Sequence, residues 1–161
     1  MKEIRFYKEF GEYGYLATYS NYGFFKDGVF WKTSEHYYQA QKFIDFDTKI
    51  RIQNAKTPKI ASNIGRDRKL NLRSDWEKVK KDVMFDAVYY KFKQNNNILQ
   101  KLLNTGSARI VEATVKENYW GCGPNNDGQN NYGKILVKVR EKLRKEQKEE
   151  TNNGTNFEKR I

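Results

Sequence analysis

Glu35, Gln39 and Lys42 are spaced i, i+4, i+7, which on a helix places all three on one face. An acid, an amide and an amine in a row, beside aromatic residues, form a set able to grip a sugar. A carboxylate can exchange a proton with a glycosidic nitrogen. A lysine kept partly dry loses its proton and attacks an anomeric carbon. Tyr37, Ala40 and Ile44 fall on the other side of the same helix and can bury. The spacing also describes a solvent-exposed Glu–Lys face, which does no chemistry. His36, the one histidine of the chain, points elsewhere on the helix and reads as a hydrogen-bonded structural group.

A second constellation joins Glu112, Glu117 and Trp120 to the loop WGCGPNNDGQNNYG over residues 120–133. Glycines at 121, 123, 128 and 133 let backbone come close to a ligand. The loop runs into a helix start near Asn131, whose free N–H groups can hold a phosphate. Gly121, Gly128 and Asn131 are therefore candidate binding residues, although an ordinary capped surface loop has the same pattern. Trp76 falls on an apolar helical stripe and reads as core; from a pocket wall it could also stack on a base.

Other chemistries lack their residues. GxSxG, a Walker-type loop and a kinase signature are absent from the sequence. One histidine, a single cysteine (Cys122) and no CxxC or HExxH leave no basis for a metal site, and no cofactor is called for.

The elements that must carry these residues are legible in outline. Residues 4–32 read as short strands, with Asp27-Gly28 turning a hairpin between Phe24-Phe25 and Val29-Phe30-Trp31. A helix is expected from Ser34, an N-cap, to about Asp45. Thr57-Pro58 starts another that Gly65 stops. Ser74-Asp75-Trp76-Glu77 reads as a capping box opening the longest helix, about 75–94, with Trp76, Val79, Val83, Ala87 and Tyr90 as its stripe. A shorter helix buries Ile98, Leu99, Leu102 and Leu103 and ends at Gly106. Ile110 to Val115 reads as a strand, and a last helix from near Asn131 uses Ile135, Leu136, Val139 and Leu143. The fold class is thus α+β: one compact domain over 1–144, mainly helical with short N-terminal strands. Residues 145–161, without apolar periodicity, are expected to be a disordered charged tail.

The chain has 161 residues and a net charge of +11, a size that can bury a core without disulfides or metal. Segment 49–101 carries 14 Lys and Arg against 5 Asp and Glu, an excess of nine positive charges. Such a field attracts phosphate-bearing partners, single-stranded DNA among them, though lysines also simply solvate a surface. The opening MKEIRFYKEF holds no signal-peptide core. No stretch approaches the roughly 18 apolar residues of a membrane span. The expectation is a soluble, cytoplasmic protein without a membrane partner. The sequence leaves the oligomeric state open.

Five segments, in order, make the sequence familiar: YLATYSNYGF with DGVFWKTSEHYYQAQKF; IASNIGR; DW at Trp76, followed by Met84, Lys91 and Phe92; LLNTGSARIVEAT; and WGCGPNNDGQNNYGKILVKVR. Together they resemble the NADAR, or YbiA-like, family over about residues 5–141. The resemblance implies an N-glycosidase that hydrolyses the bond between a ribose C1 and a base nitrogen. Some members look like enzymes that remove ADP-ribose from guanine in DNA, undoing a DarT-type toxin. Others are similar to enzymes that split ribosylated intermediates of riboflavin biosynthesis. The basic middle segment favours the first substrate. A module that binds ADP-ribose without cleaving it is a further alternative, and intact Glu35 and Lys42 speak for the enzyme.

By the same resemblance, EHYYQAQKF lines the pocket, Glu35 is an acid or base, and Lys42 contacts ribose C1 as a transient Schiff base. Trp76 and Trp120 wall the pocket. The acidic residue three positions before the Trp-Gly pair is Glu117, where the family usually has aspartate. Ala17-Thr18-Tyr19-Ser20-Asn21 departs from a Leu-Ser-Asn pattern, but Asn21 matches and could hydrogen-bond the ligand. Arg66 and the loop at 128–133 are the candidates for a phosphate or pyrophosphate.

Overall fold

The computed structural model describes residues 2–158, with side chains through 153. In chain order the elements are β1 (Glu3–Phe6), a 3-10 turn (Gly14–Leu16), β2 (Phe24–Lys26), β3 (Val29–Trp31), α1 (Ser34–Ala40), α2 (Phe46–Asn54), α3 (Pro58–Gly65), α4 (Trp76–Gln94), α5 (Asn96–Asn104), β4 (Arg109–Glu112) and α6 (Asn131–Glu158). This is the mainly helical α+β domain that the patterning predicts.

The hairpin forms where Asp27-Gly28 places it. Both residues are left-handed, at φ 51° and 76°, the backbone that a tight two-residue turn requires. β2 and β3 pair antiparallel, with Phe24 opposite Trp31. The second sheet is long-range: β1 pairs parallel with β4, Ile4 opposite Ile110 and Phe6 opposite Glu112. Thr57 caps α3 by accepting from the Ile60 N–H.

Four helix boundaries differ from the sequence reading. The single helix expected over 34–45 ends at Ala40. A separate α2 follows, its N-cap Asp45 accepting from the Thr48 N–H at 2.8 Å. Ile44, expected to bury, is 79% exposed. The cap of α1 is Thr33, which accepts from the His36 N–H, while Ser34 donates to the Ala87 carbonyl of α4. The capping box at Ser74 does not form; Arg73 instead grips Asp75 with two hydrogen bonds of 2.6 and 2.9 Å. Of the 145–161 tail expected to lack structure, residues 145–158 continue α6 and 159–161 lie outside the described residues. Glu146 pairs with Lys142 one turn earlier, and Lys93 of α4 binds both Glu146 and Glu150. Such pairs favour helix where apolar residues are missing.

Two apolar clusters build the core. One joins Ile4, Phe6, Leu16, Val88, Phe92, Ile110 and Leu136. The other joins Phe24, Trp31, Tyr37, Phe43, Ile52 and Ala61. Helix α1 runs through the interior, and all seven of its residues are buried. His36 behaves as the structural group expected. Its Nε2 lies 3.1 Å from the Ala55 carbonyl, which can only accept, so that nitrogen carries the proton; Nδ1 meets the Thr33 hydroxyl at 2.8 Å.

Lys91 is fully buried in α4. Its ammonium donates to the Tyr15 carbonyl (2.6 Å), the Ala17 carbonyl (2.9 Å) and Ser20 Oγ (2.7 Å). Burial pushes the amine down to about 7, while three acceptors, one for each ammonium proton, oppose that. This lysine staples the 3-10 turn and the segment 17–20 onto α4. Lys91→Met keeps the stem but removes three charge-assisted hydrogen bonds at once, leaving the Tyr15 and Ala17 carbonyls only the N–H and hydroxyl proton of Ser20. A loss of about 2 kcal/mol is expected, read as a fall in Tm of roughly 4–8 °C. An unchanged melting curve would contradict this role.

Candidate active site

A cavity of about 960 Å³ brings Glu35, Lys42, Arg66, Glu117 and Trp120 together in its wall. Thr18, Tyr38, Gln39, Glu112 and Tyr132 complete its inner surface. The Glu–Lys pair is therefore not a solvated face: Glu35 is 6% exposed.

Each polar group is held by its neighbours. Glu35 sits in the first turn of α1, where the helix dipole favours a carboxylate. Its Oε1 accepts from Gln39 Nε2 at 2.7 Å and its Oε2 from the Thr18 hydroxyl at 2.8 Å. Both oxygens act as acceptors, an arrangement that suits an anionic group beside a sugar gaining positive charge. Gln39 in turn rests on Gly65, the last residue of α3. A Cβ at that glycine would overlap the Gln39 amide oxygen. Gly65→Ala suits a helix conformationally but displaces Gln39 and loosens Glu35. We expect it to lower turnover about 10²-fold; wild-type rates in a folded G65A variant would remove Gln39 from the account.

Lys42 lies just past α1, in the turn where its own N–H reaches the Gln39 carbonyl. Its Nζ donates to the Gly65 carbonyl at 3.3 Å and stands 5.5 Å from the centre of the Tyr38 ring. Burial pushes this amine down to about 8; Glu35 pulls it back up and Arg66 pushes it further down. A lysine in that range supplies a neutral amine near neutral pH.

The carboxylates on the far wall differ from one another. Glu117 Oε1 accepts from the backbone N–H of Tyr119 (2.8 Å) and of Trp120 (3.3 Å), so it fixes the turn that presents Trp120. Glu112 closes β4 and accepts from the Thr114 hydroxyl at 3.0 Å. Burial first, then the nearby Glu117 and Glu35, pushes its carboxyl up to about 7.

Five expected binding residues lie away from the cavity wall. Trp76 is buried in the core behind Tyr38, the ring centroids 5.1 Å apart, and Tyr38 rather than Trp76 faces the cavity. Asn21 is exposed on the bend after Ser20. Gly121 and Gly128 serve the loop's own packing: Asn130 N–H reaches the Gly121 carbonyl, and a Cβ at Gly128 would overlap that same carbonyl. Asn131 ties the loop to the Tyr119 carbonyl through both its backbone N–H and its side chain. The N–H of Tyr132 binds the Trp120 carbonyl. The start of α6 is thus filled by the protein itself, and the cations left for a phosphate are Arg66, Lys59 and Lys8 on the wall.

Sequence reasoning gave no role to Thr18 or Tyr132, and reached Tyr38 only as part of the pocket-lining segment EHYYQAQKF. Thr18 stands where the family pattern is broken. Tyr132, whose hydroxyl donates to the Leu16 carbonyl at 2.5 Å, gave no signal. Among the described residues no helix is long and apolar enough to cross a membrane.

Comparison with known proteins covers the same span. A family model, the NADAR domain, matches residues 5–144. The chain is 40% identical over 140 residues to N-glycosidase YbiA of Escherichia coli K12, covering 87% of this chain and 88% of that protein. It is 42% identical over 144 residues to N-glycosidase Npun_R5314 of Nostoc punctiforme, covering 88% and 92%. The NMR structure of E. coli YbiA superposes with a TM-score of 0.84 at 39% identity, covering 91% of this chain and 87% of that one. Riboflavin biosynthesis protein VVA0006 of Vibrio vulnificus is 36% identical over 140 residues, 87% of this chain but 38% of that protein.

Proposed function

Since this chain belongs to the NADAR family and is a hydrolase of N-glycosyl bonds, we propose that it cleaves the ribose C1–N bond of a phosphate-bearing substrate in the cavity around Lys42, most specifically by releasing ADP-ribose from guanine in DNA. The observation that carries the site assignment is the half-dry amine of Lys42, lowered to about 8, lining one cavity with Glu35.

The chemistry follows from those groups. As the C1–N bond breaks, its electron pair moves onto the base nitrogen, which takes up a proton. Positive charge on the ribose faces the Glu35 carboxylate. The neutral Lys42 amine bonds C1, and the sugar ring opens to an imine. Water then adds to C1 and restores the amine, so the net reaction consumes one water and yields free base and free sugar. Tyr38 and Trp120, with ring centroids 5.8 Å apart, offer aromatic surface to the base or sugar.

Two observations support a nucleic-acid substrate: the cations Lys8, Lys59 and Arg66 on the cavity wall, and the excess of nine positive charges over 49–101. A second reading, hydrolysis of a ribosylaminopyrimidine phosphate, is favoured by the name of the Vibrio relative. Incubation with ADP-ribosylated single-stranded DNA and, separately, with the pyrimidine phosphate distinguishes them by mass spectrometry. Free ADP-ribose from the first is the expected result. Ribose phosphate from the second alone would replace the first reading with the other.

A further inference from the structure

The reaction needs a proton on the departing nitrogen, and four carboxyl groups line the cavity. Glu9 stands between the exposed Lys8 and Phe10, which leaves Glu35, Glu112 and Glu117 as the candidates on the inner wall. Two are committed elsewhere. Glu35 accepts through both oxygens, from Gln39 and Thr18. Glu117 accepts two backbone N–H groups through Oε1 and fixes Trp120. A proton on Glu35 would compete with donors aimed at both of its oxygens, and one on Glu117 would weaken the two backbone bonds that hold Trp120 in place.

Glu112 differs in its surroundings. It ends β4, opposite apolar Phe6 of β1. Its backbone is fixed from both sides, the N–H donating to Asn130 Oδ1 (3.0 Å) and the carbonyl accepting from the Cys122 N–H (2.9 Å). Only one side-chain oxygen is engaged, by the Thr114 hydroxyl. The ionisable groups acting on it are Glu35 from α1, Glu117 from the loop and Tyr132 from α6. None of the three carries a positive charge, so the site favours a neutral carboxyl over an anion.

We propose that Glu112 is the general acid of this N-glycosidase: its carboxyl proton passes to the base nitrogen as the C1–N bond breaks. The carboxylate so formed recovers a proton from the water that later adds to C1, and atoms and charge balance over the cycle. The inference rests on the cavity being the reaction site, as proposed above. It divides the labour of the carboxylates: Glu35 steadies the sugar, Glu117 sets Trp120, and Glu112 moves the proton. The raised Glu112 carboxyl, at about 7, stays protonated in part at neutral pH, as a general acid must.

The test is Glu112→Gln, which keeps the shape and an acceptor for Thr114. With whichever natural substrate the wild type cleaves, turnover is expected to fall about 10²-fold. The wild type should lose activity on the alkaline side as Glu112 ionises, and the variant should lose that alkaline fall while keeping the rise as Lys42 becomes neutral. A nitrophenyl riboside phosphate, whose leaving group departs without a proton, should be cleaved by E112Q within about threefold of wild type. An alkaline fall that persists in E112Q, or equal losses on both kinds of substrate, would overturn the proposal. A wrong choice between the two natural substrates shows in the wild type alone and leaves this comparison intact.

Discussion

Lys42→Ala is expected to lower turnover by at least about 10³-fold while leaving the fold in place. The side chain makes one long hydrogen bond, to the Gly65 carbonyl, and sits outside any helix, so its loss costs little stability. Its chemical loss is large because burial has pushed the amine to about 8, where a neutral nucleophile is available. Lys42→Arg separates this from plain electrostatics. Arginine keeps the charge but cannot deprotonate in a protein, so K42R should be as inactive as K42A. Substantial activity in K42R would mean that the lysine works only as a cation. For the wild type, activity should climb on the acid side as Lys42 becomes neutral, because only the unprotonated amine attacks, and pass a maximum between about 7 and about 8 as Glu112 ionises.

Glu35→Gln should cost about 10³-fold as well, with an opposite effect on the lysine. The charge of Glu35 holds the Lys42 pKa up; removing it lets Lys42 titrate below about 8. The variant therefore has more neutral amine at pH 7 and yet should turn over far more slowly, because the anion facing the ribose is gone. The new amide keeps accepting from Gln39 through its oxygen and turns its NH2 to the Thr18 hydroxyl, which can accept, so the domain stays folded. A titration of Lys42 by pH-dependent acylation checks the shift. An E35Q enzyme that is faster at neutral pH would show that Glu35 acts only by restraining Lys42.

What could be read in advance follows a physical divide. The Asp27-Gly28 hairpin and the Thr57-Pro58 helix start are local, since the residues that need the special backbone are the ones that form it. The pairing of Glu35 with Lys42 was legible as helical spacing, although α1 ends at Ala40 and Lys42 reaches the cavity from the turn beyond. Residues decided by distant partners were not legible. The parallel pairing of β1 with β4 joins segments about a hundred residues apart, and it is this pairing that carries Glu112 to the cavity. The core position of Trp76 could be read from its stripe, but not that Tyr38 stands in front of it and takes the place on the cavity wall. The N-terminus of α6 looked open, but the carbonyls of Tyr119 and Trp120 fill it. The capping box at Ser74 lost to a charge pair between Arg73 and Asp75 that backbone-based rules do not contain.

The claim on which the rest depends is that Lys42 bonds the sugar. Borohydride added during turnover reduces an imine to a stable amine, and peptide mapping then locates it. The account predicts a sugar adduct on the peptide containing Lys42, absent from K42R. Full turnover without any trapped adduct, or an adduct on another lysine in its place, would contradict it.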